Sequence, residues 1–233
     1  MEKKINLNEK VIVALDVDST QKALDIAQKL DGSGCWLKVG LELYALGGAN
    51  IVGKLKEMGF NIFLDLKLHD IPTTVERTMR VQVSSGADMI NVHCSGGYEM
   101  MARAAEVCHR EDKKIIGVTV LTSMGEKELP SIGLSGQVEE QVLRLAQLAQ
   151  KAGLDGVVAS AQEAEILRKE CGLEFLLVTP GIRPAWSEKN DQVRILTPVR
   201  ALETGSSYLV VGRPITKADN PREALEKLWD DKW

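Results

Sequence analysis

Short β-branched runs alternate with helix-period segments along the whole chain, and this alternation limits the possible folds more than any other feature. The strand candidates are Val11 to Asp16, Trp36 to Val39, Asn61 to Leu66, Met89 to His93, Ile115 to Val120, Gly156 to Ala159, Phe175 to Val178 and Tyr208 to Val211. Helical patterns lie between them at Gln21 to Leu30, Ile51 to Met58, Thr73 to Ser84, Tyr98 to His109, Val138 to Lys151 and Ala161 to Glu170, with a last one at Pro221 to Trp229. Such repetition implies parallel strands joined by right-handed crossovers. Eight units in 233 residues fit a small (β/α)8 TIM barrel, and no Pro- or Ser-rich linker divides the chain, so residues 1–233 read as one domain. A doubly wound open sheet is the alternative. It would carry Gly-x-Gly-x-x-Gly after the first strand, where Ala14-Leu15-Asp16-Val17-Asp18 stands instead.

Charge narrows the partners. A formal net charge of -4 with no basic block argues against nucleic acid. The charged start, Met1 to Lys10, has no apolar signal-peptide stretch, and no run approaches the ~20 apolar residues of a membrane span, so a cytoplasmic protein without membrane insertion is expected. Cys35, Cys94, Cys108 and Cys171 form no Cys-x-x-Cys pair, which suits reduced core thiols better than disulfides or zinc.

In a barrel the polar residues that end the strands converge on one rim. Here they are Asp16, Lys38, Asp65 with Lys67, His93, Thr122, Ser160, Thr179 and Gly212 with Arg213. Asp65 and Lys67 are two residues apart and face the same way, while Leu64, Leu66 and Leu68 face the other way and pack. A lone strand-end Asp is a helix N-cap about as often as it is functional, and Asp16 or Asp18 could cap the helix that follows. A purely structural rim, however, has no use for lysines directed inward. Charges of both signs in a partly desolvated cleft perturb pKa values, which is where chemistry concentrates.

A second group concerns phosphate. Val211-Gly212-Arg213-Pro214 closes the eighth strand with a Gly that admits an anion to the backbone, a guanidinium fork and a Pro suited to a helix start. The preceding loop, Thr179-Pro180-Gly181-Ile182-Arg183-Pro184 through Asp191-Gln192, is long and polar enough to close as a lid. His93 reads as structural, His109 as part of a solvated charged stretch and His69 as hydrogen bonding locally beside Asp70. The four tryptophans are too dispersed for a stacking platform.

With these motifs in place, the chain resembles the orotidine 5′-monophosphate decarboxylase family along essentially its whole length. The most specific match is Asp65-Leu-Lys67-Leu-His-Asp70-Ile71-Pro-Thr-Thr74, with Ala14-Leu15-Asp16, Leu37-Lys38-Val39-Gly40, Asn91-Val92-His93, Val118 to Ser123 and the two phosphate-side motifs in support. The resemblance implies that Lys67 protonates C6 of the pyrimidine, that Asp65 lies beside the departing carboxylate, and that Lys38 and Asp16 bind ribose hydroxyls. Lys38 also completes an alternating Lys-Asp row with Asp70. It implies a homodimer in which Asp70, Ile71 and Thr74 reach the partner's pocket. Thr122 and Ser123 would face the base, and Pro180, Arg183, Gln192, Gly212 and Arg213 would hold the nucleotide and its phosphate. No metal or organic cofactor is implied.

Two other assignments share parts of the pattern. Magnesium-dependent sugar-phosphate decarboxylases and aldolases carry a similar Asp-x-Lys-x-x-Asp core, though without the Ile-Pro-x-Thr continuation and the Arg183 and Gln192 lid. A non-catalytic nucleotide- or phosphate-binding protein could use the same scaffold, because fold does not fix function.

Overall fold

The structure, a computed structural model, describes residues 7–184, 186 and 196–230. Eight parallel strands close in sequence order into a barrel: β1 (Val11–Ala14), β2 (Trp36–Gly40), β3 (Ile62–Leu68), β4 (Met89–His93), β5 (Lys114–Val118), β6 (Gly156–Val158), β7 (Leu176–Thr179) and β8 (Tyr208–Val211). The connecting helices among the described residues are α1 (Thr20–Leu30), α2 (Leu41–Glu57), α3 (Pro72–Ser84), α4 (Tyr98–Arg110), α5 (Val138–Lys151), α6 (Ala164–Cys171), α7 (Pro198–Glu203), α8 (Arg213–Thr216) and α9 (Pro221–Glu226). The expected TIM barrel is therefore the observed fold. No helix among these residues is long and apolar enough to cross a membrane.

Strand parity divides the core into two shells. Val11, Val13, Leu37, Val39, Ile62, Leu64, Ile90 and Val92 face outward and pack under the helices. The alternate positions Ile12, Trp36, Phe63, Met89, Ile116 and Val178 face inward and fill the barrel with a second apolar cluster. Trp36 and Tyr208 meet edge to face within it, ring centroids 5.4 Å apart. A fully buried aliphatic or aromatic side chain of this kind contributes roughly 1.5–3 kcal/mol. The next inward residue along each of the first three strands is Ala14, Lys38 or Asp65, so chemistry begins one layer above a dry plug.

The opposite rim is tied by two half-buried acids and one arginine. Asp88 accepts the Ile62 N–H (2.9 Å) and ion-pairs with Lys56 (2.6 Å) and Lys113 (3.1 Å), while Asp155 accepts the Ile115 N–H (2.7 Å). Arg168 donates to the Gly205 carbonyl (2.7 Å) and the Ser207 hydroxyl (2.7 Å), joining α6 to the start of β8. These contacts hold the strand starts, the end of the barrel associated with stability rather than catalysis.

Element boundaries depart from the sequence pattern in instructive places. The predicted Ile51 to Met58 helix is only the second half of α2, whose first half lies before a break at Gly48 (φ 55°). Left-handed backbone there favours glycine. β1 stops at Ala14 instead of Asp16, where the Val17 N–H turns back to the Leu15 carbonyl (3.1 Å), and β5 stops at Val118 instead of Val120. β3 runs two residues beyond Leu66. The short α7 and α8, each with a proline in its first turn, are too brief to show periodicity.

Candidate active site

Four charges, one from the turn after β1, one from β2 and two from β3, form one continuous row. The Lys38 ammonium lies 2.9 Å from Asp16 Oδ1 and 3.2 Å from Asp65 Oδ2, and the Lys67 ammonium lies 2.7 Å from Asp65 Oδ1. Side-chain exposure falls from 63% at Asp16 to 9% at Lys38 and 12% at Asp65, then rises to 29% at Lys67, so the row dips into the barrel and re-emerges. The helix cap that Asp16 or Asp18 could have supplied comes from Ser19, whose side chain accepts the Lys22 N–H (3.2 Å). Asp16 is thereby left to Lys38.

Electrostatics favour the charged forms of the two buried members, Asp65 and Lys38. Burial alone would push the Asp65 carboxyl upward, but the Lys38 and Lys67 ammonium groups and a hydrogen bond from Asn91 outweigh it, and the net shift is down from the usual 3.8. Burial alone would pull Lys38 downward, but Asp65 and Asp16 reverse it, and the net shift is up from 10.5. Because Asp65 is lowered by folding, its contribution to stability is full above about pH 4 and is lost as pH falls through its folded value. Because Lys38 is raised, its contribution is full below about pH 10 and is lost as pH rises through its folded value. The unfolding free energy of the wild type relative to Asp65→Asn should therefore be level between these limits and decline on both sides. Denaturant titrations across pH would refute this if the difference stayed constant in acid.

The backbone beneath the row is irregular. Lys67 is one of two non-glycine residues with positive φ (51°) among those described. The β3–β4 register slips between Leu64, opposite Ile90, and Leu68, opposite Val92. Strict alternation therefore fails at Lys67, yet its side chain still joins Asp65. A left-handed non-glycine residue costs of order 1–3 kcal/mol and persists where its surroundings over-determine it. Gly40 is constrained by space, since a Cβ there would fall 3.0 Å from Lys38 Nζ and 3.1 Å from Asp16 Oδ1.

The row opens into a cavity of about 700 Å³, within the usual range of small-molecule sites. Asp16, Lys38, Asp65 and Lys67 line it on one side. Pro180, Gly181, Arg183, Gly212 and Arg213 line another, and Phe63, Val118, Val158 and Val210 supply apolar surface. Arg183 is buried and donates Nη1 to the Ile182 carbonyl (2.9 Å). The arrangement suits a ligand with an anionic end for two arginines, a flat apolar portion, and a reacting group at the charged row. Among the described residues, no three His, Cys, Asp or Glu side chains are grouped so that they could hold a metal ion.

The remaining predicted residues divide. Thr122 lines the cavity. Ser123 is exposed and does not line it. Asp70, Ile71 and Thr74 are exposed at the start of α3, outside this chain's own cavity, and Asp70 accepts the Ile71 N–H (2.7 Å). Within one chain the row is therefore Asp16-Lys38-Asp65-Lys67, without Asp70. Gln192 and Asp191 lie outside the described residues. Ser160 caps the turn before α6, and the Thr179 hydroxyl bonds that of Ser206 (2.8 Å), so both are structural. His93 faces His69, centroids 5.4 Å apart, and burial together with His69 and Lys67 lowers its pKa. Sequence reading missed Asn91 as a site residue, although it shares inward parity with Met89 and is fully buried beneath the row.

Comparison with known proteins follows the same outline. The profile of the orotidine 5′-phosphate decarboxylase / HUMPS family matches residues 9–228. The chain is 54% identical over 230 residues to orotidine 5′-phosphate decarboxylase of Hydrogenovibrio crunogenus, covering 98% of each protein. It is 52% identical over 222 residues to that of Vibrio cholerae, covering 94% of this chain and 96% of the relative. The crystal structure of orotidine 5′-phosphate decarboxylase from Lactobacillus acidophilus superposes with a TM-score of 0.85 at 39% identity, over 94% of this chain and 97% of the other. An uncharacterised conserved protein from Geobacillus kaustophilus gives 0.83 at 38% identity, over 94% and 98%.

Proposed function

Because the chain belongs to the orotidine 5′-phosphate decarboxylase / HUMPS family, we propose that it is a carbon-carbon lyase converting orotidine 5′-monophosphate to uridine 5′-monophosphate in pyrimidine biosynthesis, without metal or organic cofactor. The observation that carries the mechanism is the Lys67 ammonium held 2.7 Å from a buried Asp65 carboxylate at the mouth of the cavity. In the proposed reaction the bond from C6 to the carboxylate breaks, its electron pair stays on C6, carbon dioxide departs, and Lys67 delivers one proton to C6.

The energetics call for more than one residue. The C6 electron pair lies in the ring plane with no adjacent carbonyl to delocalise it, so stabilisation must come from preorganised charge. A unit-charge pair at 4 Å is worth about 4 kcal/mol at an effective dielectric near 20, whereas enzymes supply roughly 8–23 kcal/mol. Remote binding supplies the rest when the phosphate is gripped and the base is pressed against the row with water excluded. Arg183, Gly212 and Arg213 suit that grip, with Gln192 expected to join them. Lys38 and Asp16 suit ribose hydroxyls, and Thr122 the base.

The proposed unit is a homodimer whose sites are completed across the interface. Ile71, a large apolar residue 67% exposed beside the rim, supports this, as does the position of Asp70 and Thr74 next to it. The direct test is to incubate metal-stripped protein with orotidine 5′-monophosphate in chelator and follow loss of its ultraviolet absorbance with formation of uridine 5′-monophosphate. Turnover is expected. Binding without conversion would favour a non-catalytic nucleotide-binding protein, and turnover only after adding magnesium would overturn cofactor independence. Arg213→Ala should raise KM for the nucleotide roughly 10- to 100-fold, the scale of a lost charge-assisted hydrogen bond, and affect the phosphate-free nucleoside far less. Equal losses on both substrates would remove Arg213 from the phosphate.

A further inference from the structure

Asn91 is fully buried beside the charged row, and both ends of its side-chain amide are used there. Its Oδ1 accepts the Lys67 backbone N–H (2.8 Å), and its Nδ2 donates to Asp65 Oδ1 (2.7 Å), the same oxygen that pairs with the Lys67 ammonium. Its strand parity places it inside the barrel above Met89, with Ile90 and Val92 turned outward.

The register slip explains why an amide is needed. Between Leu64 and Leu68, β3 spends four residues where β4 spends two, so the Lys67 N–H acquires a side-chain acceptor in place of a ladder partner. Lys67 is also held in the left-handed region, which a lysine does not choose by itself. One side chain thus fixes the backbone that carries the ammonium and the carboxylate that aims it. Alanine could do neither, and aspartate could accept from Lys67 N–H but would set a second carboxylate against Asp65.

We propose that Asn91 is a positioning residue for proton delivery by Lys67, an inference that rests on the decarboxylase reading above. It does not touch substrate; it sets where the Lys67 ammonium stands relative to the carbon that receives the proton. Misplacement of a reacting group by about 1 Å can cost about 100-fold in rate.

The test compares Asn91→Ala and the strand-compatible Asn91→Thr with wild type in kcat, KM, affinity for uridine 5′-monophosphate and thermal unfolding. Support would be kcat reduced about 100-fold or more in Asn91→Ala, with KM and product affinity within about 3-fold and cooperative unfolding retained. The losses from Asn91→Ala and Lys67→Ala should also fail to add, because both act through one ammonium. Unchanged kcat in both variants of an active enzyme overturns this proposal alone. Parallel collapse of kcat, product affinity and thermal midpoint would assign Asn91 to fold stability and likewise overturn it. An inactive wild type would overturn the decarboxylase reading together with it.

Discussion

Lys67→Ala should lower kcat by roughly five orders of magnitude or more while leaving the protein folded. Two losses combine in that figure. General acid catalysis by a positioned side chain contributes about 10²- to 10⁴-fold. The departing cation removes stabilisation of about 4 kcal/mol, near three further powers of ten. The fold should tolerate the change, because the Lys67 side chain is partly exposed and the plug below it is untouched. Asp65 keeps Lys38 as a partner at 3.2 Å and the Asn91 amide at 2.7 Å, so its charge is not stranded. Single-turnover assays with uridine 5′-monophosphate binding as control would separate chemistry from affinity. A variant retaining more than about one per cent of wild-type kcat would require a different proton donor.

Asp70→Ala should be nearly inactive alone yet regain activity when mixed with Lys67→Ala. Asp70 is exposed at the head of α3, outside the cavity of its own chain, so a catalytic role for it requires a second copy. In a two-fold dimer each site would take Lys67 from one subunit and Asp70 from the other. Random exchange makes half the dimers mixed, and each mixed dimer has one intact site of two, so activity should reach about a quarter of wild type. Subunit exchange would be confirmed by a size-tagged copy. No recovery after proven exchange would place Asp70 outside the partner's site.

Most of the barrel was legible because period-2 and period-3.6 patterns alternate cleanly, and each inward strand position announces its layer: Ile12, Trp36, Phe63 and Met89 below. The charged row was legible for the same reason, since Lys38 and Asp65 occupy the inward parity. What escaped were features set by tertiary detail. The break at Gly48 hid the first half of α2, and the slip after Leu64 cannot be inferred from composition. Asn91 reads locally as one polar residue in a strand; only its height beside Asp65 marks it. Asp70, Ile71 and Thr74, proposed for a shared site, carry no strand-end signal, and resemblance alone singled them out.

The plug formed by Ile12, Trp36, Phe63, Met89, Ile116 and Val178 also governs traffic. It fills the barrel axis beneath the pocket, so the cavity is reached from the rim where the strands end. In the proposed reaction, arriving nucleotide, escaping gas and outgoing product would all pass that rim, and the gas, as the smallest traveller, could leave first.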